Sequence, residues 1–130
     1  MDLEEIIIKL KDAFKRDEVK KAVLKPEWYN KNIESGIHST GFCYAASEVI
    51  YRLTGGKEKW KKVAISKKNW KYGGHCYLVD KETGNRLDIT DEQYKSAKID
   101  IPYEKGRAGG FRTKDFGKNA KILAEMAGLI

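Results

Sequence analysis

Residues 38–53, HSTGFCYAASEVIYRL, decide how the rest of the chain is read. After the Gly41-Phe42 break, Ala45, Ala46, Val49, Ile50 and Leu53 recur at helical spacing, which predicts a buried helix with Cys43 in its first turn. Unpaired N–H groups and the positive end of the macrodipole favour a thiolate at that position. Cys43 is therefore a candidate nucleophile or anion-stabilised ligand. It also admits a plain structural reading, because free cysteine is among the side chains most often buried as small apolar fillers.

Before this helix the chain opens on an amphipathic stretch, Leu3 to Arg16. Leu3, Ile6, Ile7, Leu10, Ala13 and Phe14 follow the i, i+3, i+4, i+7 rule, with both charge signs on the other face. That mixture favours core packing over a membrane-surface role. A second short helix is predicted from Val19 to Leu24, ending before Pro26. The polar segment 27–41, EWYNKNIESGIHSTG, is expected to be an irregular loop.

After the Cys43 helix, Gly55-Gly56 supplies a stop. Trp60 to Ser66 is predicted as a strand, and His75 to Asp80 with Arg86 to Thr90 as a β-hairpin around KETG. If Lys81 to Gly84 form the connection, with Gly84 left-handed, Asp80 pairs with Asn85 and Val79 with Arg86. His75 and Asp88 then share a face as diagonal neighbours. A loop shorter by one residue would separate them. Strand alternation sends Cys76 to the opposite face, alongside Leu78, Leu87 and Ile89. Thr90 and Gln93 fit a capping box that begins a short helix. Ile99, Ile101 and Tyr103 alternate as a further strand, GRAGGF is expected to be a flexible connection, and Ala120, Leu123, Ala124 and Ala127 predict a final helix.

At 130 residues, 41% hydrophobic and 35% charged, the chain has the composition of one soluble globular domain. No run approaches the roughly eighteen apolar residues of a membrane span, and MDLEE lacks the order of a secretory signal, so a cytoplasmic location is expected, with no membrane partner. Its two cysteines are then expected to be reduced, a Cys43 to Cys76 disulfide making sense only as a redox sensor. The net charge of +7 is spread as lysine-rich punctuation. Such a balance allows a basic binding module for nucleic acid or an acidic protein, with Lys67, Lys68, Arg107 and Arg112 as candidate contacts. GRAGGF matches neither a P-loop nor GxGxxG, and no cofactor is expected. No metal is expected either. Cys43, His75, Cys76 and His38 lack the CxxC spacing of a zinc site, and His75 and Cys76 point apart on a strand.

Cys43 at a helix start, His75 at a strand start and Asp88 on the partner strand supply, in order, a thiol, an imidazole to take its proton, and a carboxylate to hold that imidazole. This order resembles the papain-like and transglutaminase-like cysteine enzymes, whose nucleophile heads a helix packed on an antiparallel sheet carrying the His and then the Asp. Within that superfamily GFCYAASEVIYRLTGG, GGHCYLVD and RLDITDEQY look most like the YunG-like proteins, over roughly residues 38 to 95. The resemblance implies an α+β fold, with N-terminal helices and the Cys43 helix packed on a small antiparallel sheet. It also implies a thiol-dependent hydrolase or acyl/amide transferase acting on a protein, peptide or small amide or ester. No glutamine precedes Cys43, unlike in the papain-like peptidases. The oxyanion or substrate-binding candidates are therefore His38, Asn30, Asn32 and Trp70, beside the Cys43 backbone N–H.

Overall fold

Asp2 starts the first helix. Its side chain accepts from the Glu5 N–H at 2.9 Å, and α1 (Leu3–Phe14) follows in the computed structural model, which describes residues 1–130. Ile6, Leu10, Ala13 and Phe14 are its buried stripe. Next comes α2 (Asp17–Val23), which stops as Leu24 turns extended ahead of Lys25 and Pro26.

The segment expected to be irregular is instead a helix, α3 (Pro26–Ser35). Proline occupies its first turn and Gly36 closes it in the left-handed conformation, a pairing that suits helix ends whatever lies between. Its interior hides that outcome from an apolar-periodicity reading, because its only buried residue is Asn32. After α3, α4 (Cys43–Leu53) begins where predicted, with Phe42 just ahead of it, fully buried and stacked on Phe14 at 4.5 Å between ring centroids.

Four strands form an antiparallel sheet in the order β3-β2-β1-β4. They are β1 (Trp60–Ile65), β2 (His75–Asp80), β3 (Arg86–Leu87) and β4 (Arg107–Gly109). The hairpin register is the predicted one. Val79 pairs with Arg86, the Asp80 N–H bonds to the Asn85 carbonyl at 2.9 Å, and Gly84 sits at φ +75°. β3 is shorter than expected, because the ladder ends at Leu87 and Asp88 turns inward.

Two further expectations fail. Ile99 and Ile101 form no strand, and Tyr103 lies in a 3-10 turn; these side chains pack over the sheet instead. Pro102, at ψ 72°, has no N–H for a ladder. The edge strand β4 comes from the glycine-rich stretch expected to be a flexible connection, and all its side chains are exposed. The expected capping box is also incomplete. α5 (Glu92–Lys95) has Asp91 at its N-cap, and Gln93 Nε2 donates to the Thr90 carbonyl at 3.0 Å rather than binding its N–H.

Alternation along β1 and β2 divides the core. Trp60 and Leu78 face α1, α2, α4 and α6 (Lys118–Met126), and belong with them to a cluster of 18 buried residues. Val63, Ile65 and Tyr77 face the other way, under Trp70 and Tyr94. The result is a single α+β domain with its long helices on one side of the sheet. Buried Glu48 of α4 closes that side. It pairs with Arg52 at 3.2 Å and accepts the Gly117 N–H at 2.8 Å, while Arg52 donates to the carbonyls of Thr113 and Lys114.

Candidate active site

Cys43 is half-buried and is the first residue of α4. No side chain caps this helix, so the thiol stands in a first turn whose N–H groups, the positive end of the helix dipole, have no side-chain acceptor. The approach to α4 is held from α3. Asn32 Nδ2 donates to the carbonyls of His38 and Thr40 at 3.0 and 2.8 Å, and Ser35 Oγ meets Thr40 Oγ1 at 3.0 Å. Gly41 then turns the chain at φ +89°, where a Cβ would stand 3.1 Å from Leu24 Cδ2. A larger residue would be strained at this φ and would have to displace the Leu24 methyl by a few tenths of an ångström.

His75 opens β2 and is buried. Nε2 donates to Asp88 Oδ2 at 2.6 Å, so the hydrogen must reside on Nε2, and Nδ1 is the nitrogen free to exchange a proton. Nδ1 is buried and makes no hydrogen bond, and the Cys43 side chain is the ring's other polar neighbour. Burial pulls the imidazole pKa down. The hydrogen bond to Asp88, with the charges of Cys43 and Asp88, outweighs it and pushes the pKa up to about 9. Tyr94 lies edge-on to the ring at 5.2 Å and limits its tilt.

Asp88 has a further partner that no sequence pattern announced. The Tyr103 hydroxyl donates to the same Oδ2 at 2.9 Å, and the Arg86 guanidinium lies 3.4 Å above the Tyr103 ring centroid. Asp88 Oδ1 is buried and without a partner. Burial first, and the Asp88 charge next, raise the Tyr103 phenol above its usual range and keep it a donor.

No known protein family, curated protein or solved structure matches this chain. The functional reading therefore rests on geometry. Cys43 and His75 line one cleft of about 480 Å³, and Gln93 and Tyr94 line it with them.

The other expected contributors lie elsewhere. His38 lines a separate hollow, and its Nδ1 accepts from Lys20 Nζ at 2.8 Å. Burial lowers the pKa of both partners, which suits a neutral imidazole accepting from the ammonium. Asn32 is committed to the loop carbonyls, and Asn30 is exposed to solvent. Trp70 packs 4.5 Å from Tyr94, outside the cleft lining. The polar side chain that does line the cleft near Asp88 in sequence is Gln93, which sequence reasoning assigned only to capping.

Cys76 points away from His75, as alternation required, and its face is the one packed on α4. Ser47 Oγ bonds the Cys76 carbonyl at 3.4 Å, so Cys43, one turn earlier on α4, comes to the start of β2 where His75 stands. Cys76 is 4% exposed, and burial, with the Cys43 charge behind it, pushes its thiol up to about 12. Both cysteines are free, and no three His, Cys, Asp or Glu side chains are placed to hold a metal ion.

Proposed function

We propose that this chain is a thiol-dependent hydrolase or acyl/amide transferase using Cys43, His75 and Asp88 in a papain-like or transglutaminase-like arrangement. The observation that carries the reading is the buried His75 ring, fixed by Asp88 through Nε2 and next to Cys43. An uncapped helix start bearing the thiol, packed on an antiparallel sheet whose β2 opens on the His and whose β3 runs directly into the Asp, supports it.

In this mechanism Cys43 gives its thiol proton to His75 Nδ1, and the sulfur attacks a carbonyl carbon of a peptide, amide or ester. The C–S bond forms, the carbonyl π pair moves to oxygen, and the Cys43 N–H receives that charge, with the Gln93 amide as a side-chain candidate beside it. As the tetrahedral species collapses, His75 gives its proton to the departing nitrogen or oxygen. Water or an amine then attacks the thioester while His75 takes a proton from it. The second collapse expels the Cys43 thiolate and restores the pair. Asp88 keeps the ring oriented throughout.

Incubation with p-nitrophenyl acetate tests the reading by intact and peptide mass spectrometry. An acetyl group should appear on Cys43 and decay with turnover. His75→Ala should slow acetylation by roughly 10²-fold, the lower range for a positioned proton-transfer group. Acetylation confined to lysines, or equal with and without His75, would contradict the proposal. It would leave the lysine-rich surface as the functional feature, to be followed as salt-sensitive binding of nucleic acid or an acidic protein.

A further inference from the structure

The cleft that holds Cys43 and His75 is lined by Lys25, Lys62 and Arg112, and no Asp or Glu side chain lines it. None of these cations is in an ion pair. Lys62 differs most from the usual surface lysine, because it is half-buried on β1 with only the Gly110 carbonyl as hydrogen-bond partner, at 3.2 Å. Its ammonium lies 5.2 and 5.5 Å from the ring centroids of Tyr44 and Phe111. The Arg112 guanidinium is 5.6 Å from the same Tyr44 ring, and the Arg112 N–H donates to Tyr44 Oη at 3.0 Å. The other partly sheltered basic groups of the same region are matched: Arg52 by Glu48 and Lys59 by Asp80.

We infer that the Cys43 cleft takes acyl substrates bearing a carboxylate close to the attacked carbonyl, as an acidic polypeptide would. The inference rests on the thiol reading above. The half-buried Lys62 ammonium on its aromatic wall has lost hydration that a bound anion replaces, and the Arg112 guanidinium offers a carboxylate two parallel N–H donors. Aromatic contact also limits how far the charges swing, so the positive potential stays in the cleft that Cys43 lines.

Iodoacetate and iodoacetamide test this. In both, the Cys43 thiolate displaces iodide from a CH2 group: a C–S bond forms, the C–I bond breaks, and iodide leaves with the electron pair. The reagents differ only in carboxylate against amide. A charged His75 alone favours the anionic reagent, so the readout is how the ratio of the two Cys43 rates changes when His75 is kept. In Lys62→Gln/Arg112→Gln the iodoacetate to iodoacetamide ratio should fall about three- to tenfold at low salt, the size expected for charges a few ångströms to a nanometre away in a partly wet site. Arg112→Gln alone, at an exposed position, should give part of that fall and guards against misfolding of the double variant. Lys57→Gln, beyond the far end of α4, removes the same unit of net charge and should leave the ratio as it is. A ratio unmoved by the cleft substitutions, or moved equally by Lys57→Gln, overturns the inference while leaving the thiol reading standing. Cys43 alkylation by iodoacetamide no faster than that of free cysteine overturns both.

Discussion

At the scale of single residues, the site is a chain of contacts running from Cys43 through His75 and Asp88 to Tyr103. The His75 pKa, pushed up to about 9, lies above its unfolded value of about 6.5. The protonated ring therefore stabilises the fold in full below about pH 6.5, and that contribution is lost as the pH rises through about 9. Urea unfolding across this window should show stability falling with pH, and Asp88→Asn should flatten the slope; equal slopes would remove the charge pairing from the account. Tyr103 donates into the same carboxylate, and Tyr103→Phe should cost about 1.5 to 3 kcal/mol, the range for a hydrogen bond to a charged group. Denaturant titration measures it, with a change within error as the contrary result. Cys43, His75 and Asp88 were legible because helix-start chemistry and hairpin parity place them. Tyr103, Gln93 and Lys62 were not, because they reach the site through side-chain packing that carries no sequence spacing.

At the scale of elements, the hairpin register was readable because Gly84 sets the turn, although the ladder ends at Leu87 rather than Thr90. Gly84→Ala, at φ +75°, should cost about 1 to 2 kcal/mol in thermal or chemical unfolding. Helix α3 escaped a reading based on apolar periodicity, although Pro26 and Gly36 mark its ends, because its one buried residue is an asparagine that binds loop carbonyls. β4 escaped because an exposed, glycine-rich edge strand has no alternation to detect. The Ile99-Ile101-Tyr103 pattern misled for the opposite reason: alternating apolar side chains can cover a sheet as readily as extend one. Glu48 is the element-scale hinge of the helical layer. Glu48→Ala leaves Arg52 and the Gly117 N–H without their acceptor and should destabilise by about 3 to 5 kcal/mol, as breaking a buried pair does. A loss below about 1 kcal/mol in urea would show that the pair is solvated and the segment near Thr113 independently held.

Across the whole molecule, helices packed on one side of an antiparallel sheet were visible in outline, since helix-period stretches flank a run of strand-period ones; the aromatic cluster on the other face was not. What the pattern did not show is which sheet face meets α4. Alternation separates His75 from Cys76, yet it is the Cys76 face that packs on the helix, and His75 meets Cys43 only because both stand at the ends of their elements. The two cysteines thus line one cleft in different electrical settings. Cys43 lies beside an imidazolium and a helix start, while Cys76 lies in a dry contact that holds its thiol neutral. Site-resolved alkylation with iodoacetamide near neutral pH, followed by peptide mass spectrometry, tests this difference directly. Labelling of Cys43 should outpace that of Cys76 by at least about tenfold, as a half-exposed thiol beside His75 over a buried one, and His75→Ala should slow Cys43 while Cys76 stays protected. Equal rates, Cys76 reacting first, or a Cys43 rate indifferent to His75→Ala would contradict the account.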